Sequence, residues 1–144
     1  MTFDLDSFLP YRLAVAAAQV SDRFSHLYAA EAGLTIPEWR VLAHLHGQEG
    51  VSVRDITRRV NLEKSVVSRA ASRLERDGLL EKTDNKDDRR LVALRLTSQG
   101  RALMDRLGRL ALSFQKQLLQ ELGADAETFS RVLDRLSAPV DVSR

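Results

Sequence analysis

Residues 61–78 read Asn61-Leu-Glu-Lys-Ser-Val-Val-Ser-Arg-Ala-Ala-Ser-Arg-Leu-Glu-Arg-Asp-Gly78. At 3.6 residues per turn, Val67, Ala70, Ala71 and Leu74 share one face of a helix. Lys64, Ser65, Ser68, Arg69, Ser72 and Arg73 share the other, where no carboxylate intervenes between Glu63 and Glu75. A solvated helix face usually mixes both signs as spaced Glu–Lys pairs. Cations beside small hydroxyl donors suit a polyanion with hydrogen-bonding edges, which is the chemistry of DNA. The same pattern on an ordinary exposed helix remains the alternative until its neighbours are read.

Upstream, Ser52 is expected to cap a short helix whose apolar residues Val53, Ile56 and Val60 recur at i, i+3 and i+7. Asn61-Leu62 makes a tight connection into the basic helix. Two helices so joined, the second basic outside, form a helix-turn-helix pattern. Downstream, Gly78 supplies the stop. Leu79–Thr83 and Leu91–Leu96 alternate as strands around the wholly polar Asp84-Asn-Lys-Asp-Asp-Arg-Arg90. A helix-turn-helix followed by a two-stranded hairpin is a winged helix, with that polar loop as the wing.

Working outward, Thr35-Ile-Pro-Glu38 reads as a capping box with proline in the first turn of a helix carrying Trp39, Leu42, Ala43 and Leu45. Before it, Leu13, Ala16/Ala17, Val20, Phe24 and Leu27 follow a near-heptad seam from Leu9, with Pro10 in the first turn, to a stop near Gly33. After the wing, Thr97 caps a helix with Leu103, Leu107, Leu110, Phe114 and Leu118 on one side, running to Gly123. Asp125 is expected to cap a last helix bearing Phe129, Val132, Leu133 and Leu136, ending before Pro139. The two long helices span roughly 30 and 37 Å. Their apolar stripes exceed what a winged-helix core can cover, and a second copy is the economical partner. The expected fold is mainly α: one domain over 1–144, with 8–32 and 98–138 as dimerisation helices and 35–97 as the winged-helix lobe.

Composition sets the bounds. In 144 residues, 44% are hydrophobic and 29% charged, as in a globular chain. The net charge is only +2, but Arg54–Arg95 holds 12 Lys/Arg against 8 Asp/Glu, while the remainder holds 10 against 12. The positive charge is concentrated in the middle third. There is no cysteine, which excludes thiol redox sensing and cysteine-ligated metals. No apolar run approaches the ~20 residues of a membrane span, and no secretory signal is evident; a cytoplasmic location is expected. His44 and His46 are two apart on one helix and do not form a metal pair. No nucleophile–base pair, phosphate-cradling glycine loop or H-E-x-x-H is present, so an enzyme is not expected, nor a cofactor.

The arrangement resembles the MarR family of bacterial transcriptional regulators. The resemblance rests on Leu62-Glu-Lys-Ser-Val-Val-Ser-Arg69, Leu74-Glu-Arg-Asp-Gly-Leu-Leu80, Asp88-Arg-Arg90 and Leu94-Arg-Leu-Thr-Ser-Gln-Gly100, and covers nearly the whole chain. It implies a homodimer that sets two recognition helices in successive major grooves of a pseudo-palindromic operator, usually as a repressor. By position, Lys64, Ser65, Ser68 and Arg69 would face base edges and phosphates, with Arg73 on the backbone. Arg90, with Arg89 beside it, would enter the minor groove, oriented by Asp88 or Asp84. Relatives also bind a small aromatic or phenolic carboxylate beside the dimer arms. Tyr11, Arg12 and Trp39 are the candidates here, together with Phe8, His26 and His44. Each has a plain structural reading as well: Phe8 and Trp39 as core, Tyr11 and Arg12 at the dimer seam. The competing function is a winged-helix protein-interaction module without DNA binding.

Overall fold

The computed structural model describes residues 2–48, 50–60, 62–84 and 92–138, with Asp84 as backbone alone. In order it has a 3-10 turn (Leu5–Ser7), α1 (Leu9–Ala32), α2 (Ile36–Leu45), β1 (Val51–Ser52), α3 (Val53–Val60), α4 (Lys64–Arg76), β2 (Leu80–Asp84), β3 (Val92–Leu96), α5 (Ser98–Leu122), a second 3-10 turn (Gly123–Asp125) and α6 (Ala126–Ser137). These form two compact units, Met1–Leu110 and Ala111–Arg144, and α5 passes from the first into the second.

Local chemistry sets the boundaries. Pro10 sits in the first turn of α1, where its missing N–H leaves no bond unmade. Gly33 closes α1 in the left-handed region at φ 67°, donating its N–H to the Ala29 carbonyl at 2.8 Å. The Thr35 hydroxyl accepts from the Glu38 N–H at 3.4 Å, and the Glu38 carboxylate accepts from the Thr35 N–H at 3.3 Å and its hydroxyl at 2.7 Å. Those bonds are why Glu38 tolerates burial. Ser52 and Asp55 repeat the device one helix later. The Ser52 hydroxyl accepts from the Asp55 N–H at 3.1 Å and the Asp55 carboxylate accepts from the Ser52 N–H at 3.4 Å.

The core of the first unit lies where α2, α3 and α4 pack on the sheet. Val41, Leu42, Ile56, Val67, Leu74 and Leu94 are fully enclosed there. The sheet has three antiparallel strands in the order β1-β3-β2, one more than the hairpin expected from sequence. The added strand is the pair Val51 and Ser52, set against Leu94 and Ala93. Two residues are too few to show a period of two, and their partner lies some forty positions away.

A tight joint connects the end of α4 to the start of α5. Gly78 takes φ 77°, its N–H bonds the Glu75 carbonyl at 3.0 Å, and the Leu79 N–H reaches the Leu74 carbonyl at 2.9 Å. This is the Schellman stop that only a residue tolerant of positive φ permits without strain. The Thr97 hydroxyl donates to the Gly78 carbonyl at 2.7 Å and accepts from the Gly100 N–H at 3.0 Å. The Thr97 N–H bonds the Leu79 carbonyl at 3.1 Å. Gly100 presses so closely on that carbonyl that a β-carbon at position 100 would overlap it. Elsewhere in this unit Glu31 of α1 pairs with Arg106 of α5 at 3.5 Å.

Two expectations are corrected. Phe8 is not core: it is 46% exposed and packs edge-to-face on Phe3, at the N-terminal end of α1, far from the buried residues in the helix's C-terminal half. Only Phe24 and Tyr28 of α1 are buried. Asp125 stands at the start of α6 but makes no capping bond, because the 3-10 turn brings it in already helical, at φ −82° and ψ −9°, rather than extended. In the second unit Leu119, Phe129, Leu133 and Leu136 are exposed.

Candidate nucleic-acid interface

The inner and outer faces of α4 separate as the spacing predicts. Val67, Ala70, Ala71 and Leu74 are completely buried, and α4 packs on α2 and α3 through them. Outward, Ser65, Arg69, Ser72 and Arg76 fall at i, i+4, i+7 and i+11, a single exposed column of alternating hydroxyl and cation. Arg73 and Lys64 are exposed on its flanks, and Ser68 is half-buried beside it. A shallow groove of 540 Å³ runs along this surface, lined by Val66, Ser68, Arg69, Ser72, Arg73 and Arg76. The N-cap residue Glu63 makes no side-chain capping bond to α4, and no acid lies within the helix's first turn. Its leading amides and its dipole therefore favour an anion such as a phosphate.

Of the residues named from sequence, the structure brings Lys64, Ser65, Ser68, Arg69 and Arg73 onto this one helix surface. Arg89, Arg90 and Asp88 lie outside the described residues, as does the side chain of Asp84. Tyr11, Arg12 and Trp39 are not brought together. Tyr11 and Arg12 are exposed near the start of α1. Trp39 stacks on Tyr28 with centroids 5.4 Å apart and an interplanar angle of 18°, and meets Phe24 edge-on at 5.0 Å. Tyr28 lies about 25 Å along α1 from Tyr11 at 1.5 Å per residue.

Several residues outside the sequence-derived set belong to the same surface chemistry. Arg54, Arg58 and Arg59 of α3 are exposed, on the helix that crosses the backbone in helix-turn-helix docking. Their signal was three arginines in a run of six residues. Arg76 extends the α4 column by one turn. Lys82 of β2 donates to Ser72 Oγ at 3.0 Å and lies 3.8 Å from Glu75 Oε1. Asp55, the one acid of α3, has its pKa held below the ordinary 3.8 by the hydrogen bonds from Ser52, helped by Arg58 and Arg59. It is engaged at the cap rather than set against the arginines' far side.

Among the described residues two buried side-chain polar atoms lack a hydrogen-bond partner, the Tyr28 hydroxyl and His44 Nε2. Burial raises the Tyr28 pKa above its ordinary 10.0, with Arg40 opposing and Asp22 adding to the shift. Among the described residues no group of three or more His, Cys, Asp or Glu is placed to hold a metal, and no helix is long and apolar enough to cross a membrane.

A MarR family model matches residues 32–91, which take in α2, β1, α3, α4 and β2. The HTH-type transcriptional regulator TtmR of Methylorubrum extorquens is 31% identical over 137 residues, covering 93% of this chain and 70% of its own length. The HTH-type transcriptional repressor Rv2887 of Mycobacterium tuberculosis is 28% identical over 133 residues, 91% of this chain and 92% of its own. Its crystal structure, a complex with p-aminosalicylic acid, matches with a TM-score of 0.73 at 25% identity over 92% of this chain and 100% of that one. The crystal structure of a MarR/EmrR family regulator from Acinetobacter sp. ADP1 matches with a TM-score of 0.80 at 27% identity, covering 93% and 95% of the two chains. With the winged helix, the basic hydroxyl-bearing helix and these relatives in agreement, the chain belongs to the MarR family of DNA-binding transcriptional regulators.

Proposed function

We propose that the protein is a homodimeric repressor that reads a pseudo-palindromic operator through paired α4 helices and is released by a small aromatic acid. The observation that carries the DNA reading is the outward column Ser65, Arg69, Ser72 and Arg76 over a fully buried inner face. Arginine matches the two acceptors of guanine in the major groove, and serine hydroxyls bond base edges or phosphates. Arg54, Arg58 and Arg59 add phosphate neutralisation beside them, and Arg89 and Arg90 are assigned to the flanking minor groove on the strength of the family resemblance.

A second copy accounts for the uncovered apolar surface. In the first unit Phe3, Leu9, Leu13 and Val15 are exposed, Leu9 by 64%. The second unit leaves Phe129, Leu133 and Leu136 open. A two-fold partner on these surfaces holds the two α4 helices about 34 Å apart, one turn of B-DNA.

The release step has support from Rv2887, whose structure holds p-aminosalicylic acid. In this chain the unpartnered hydroxyl of Tyr28, whose ring stacks on Trp39, and the unpartnered His44 Nε2 are groups that an aromatic carboxylate or phenol can satisfy. A ligand of this kind acts only by its differential affinity for the free and DNA-bound arrangements. The test is a mobility-shift titration on DNA upstream of the protein's own gene, with and without p-aminosalicylic acid, beside sedimentation of the free protein. A retarded complex of two chains per duplex is expected, weakened by the acid. A monomer that retards no duplex would overturn the proposal.

A further inference from the structure

Lys82 occupies an inward register of β2. Leu80 before it is buried, Glu81 and Thr83 on either side are exposed, and Lys82 itself is half-buried opposite the fully buried Leu94. A lysine in such a place lays its methylenes along apolar surface and brings its amine out at the edge. Here the edge is α4, where Nζ meets Ser72 Oγ at 3.0 Å and Glu75 Oε1 at 3.8 Å. Ser72 belongs to the outward column. Glu75 is the one carboxylate between Lys64 and Arg76.

This contact has a chemical consequence for Ser72. A serine hydroxyl carries one proton and two lone pairs. An ammonium group donating to the oxygen occupies one lone pair and polarises the group, so its own proton is the better partner for what lies in front of the helix. The same ammonium offsets the charge of Glu75, which otherwise repels the phosphates beside it.

We propose that Lys82 is a positioning residue for DNA recognition: it fixes Ser72 as a hydrogen-bond donor, suited to an acceptor edge such as guanine O6 and N7 or thymine O4, and masks Glu75. This rests on the reading that α4 enters the major groove. The arrangement separates two effects that one substitution confounds. Removing the amine frees Ser72 to accept, which alters base preference. It also unmasks Glu75, which lowers affinity for every duplex.

The experiment is selection from a random duplex library by the full chain, as wild type, S72A, E75Q, K82M and K82M/E75Q, with affinities measured on the wild-type consensus. Methionine keeps the apolar stem, and thermal melting checks that each variant folds. K82M is expected to bind the consensus roughly 2- to 12-fold more weakly, and to lose preference at the same base pair that S72A loses while keeping the rest. K82M/E75Q should recover affinity without recovering that preference. If wild type selects no shared sequence, the major-groove reading fails and the inference with it. If wild type selects one and K82M selects it with equal stringency at every position, the inference alone fails. A uniform loss on all duplexes that E75Q does not repair, with a shallower salt dependence, would make Lys82 a direct phosphate ligand and also overturns it.

Discussion

Gly100, in the first turn of α5, lies against the carbonyl of Leu79, just beyond the stop of α4, with no room between them for a methyl group. Helix propensity alone favours alanine over glycine by about 1 kcal/mol. Here the steric conflict is with backbone, which cannot swing aside, so overpacking dominates. Gly100→Ala is expected to destabilise by about 1–3 kcal/mol, seen as a lower urea midpoint. Gly108, two turns on in the same helix, is the control: a β-carbon there meets nothing within 4 Å among the described residues. Gly108→Ala should raise stability by about 1 kcal/mol, and a fall that deepens on dilution would instead place Gly108 against a second copy.

Thr97 serves both sides of that joint, capping α5 and holding the Gly78 carbonyl. Thr97→Ala removes both bonds and should cost about 1–2 kcal/mol. Thr97→Ser keeps the hydroxyl and should keep most of the stability. Equal losses in the two variants would assign the effect to the methyl group instead.

The Ser52–Asp55 cap makes a prediction with a defined pH window. The Asp55 pKa is depressed in the folded chain, so the stabilisation from its ionised form is complete above the unfolded value near 3.8 and disappears as pH falls through the lower folded value. Asp55→Asn should therefore melt below wild type at neutral pH, and the gap should close as pH drops below 3.8. Ser52→Ala should cost about 1 kcal/mol through loss of the cap.

On DNA, Arg69→Ala is expected to cost about 1–3 kcal/mol on the preferred duplex and to relax selectivity at one base pair per half-site. Arg90→Ala should weaken all duplexes more evenly. Affinity should fall roughly a thousandfold or more between about 50 and 200 mM salt, and a flat response by electrophoretic mobility shift would remove phosphate neutralisation from the account.

Tyr28 buries its hydroxyl without a partner. Tyr28→Phe should leave the free protein as stable or about 1 kcal/mol more so, while reducing the thermal shift produced by p-aminosalicylic acid. An undiminished shift would move the ligand away from Tyr28.

Much of the fold is legible where local chemistry decides it. The two faces of α4, the Thr35–Glu38 box, the Gly78 stop and the Thr97 cap each rest on residues within a few positions of one another. What is not legible locally depends on distant partners. Val51 and Ser52 become a strand only because Leu94 and Ala93 come alongside. Lys82 reads as one more surface cation until β2 is seen against α4. Phe8 looks like core by its type, yet the core of its own unit lies farther along α1. Arg76 falls beside the glycine stop, yet the 3.6 period continues the column to it.

The strict division of α4 between enclosed and outward positions has a consequence for how such a protein changes over generations. Val67, Ala70, Ala71 and Leu74 carry the attachment to the rest of the lobe, while Ser65, Arg69 and Arg76 stand exposed outside it and Ser72 touches it through the bond from Lys82. On the proposed reading, substitutions at positions 65, 69 and 76 alter the message and leave the anchorage alone, and one at 72 also gives up the bond from Lys82. If that reading holds, a DNA site and its reader are free to drift together, one letter at a time, on a scaffold that stays folded throughout.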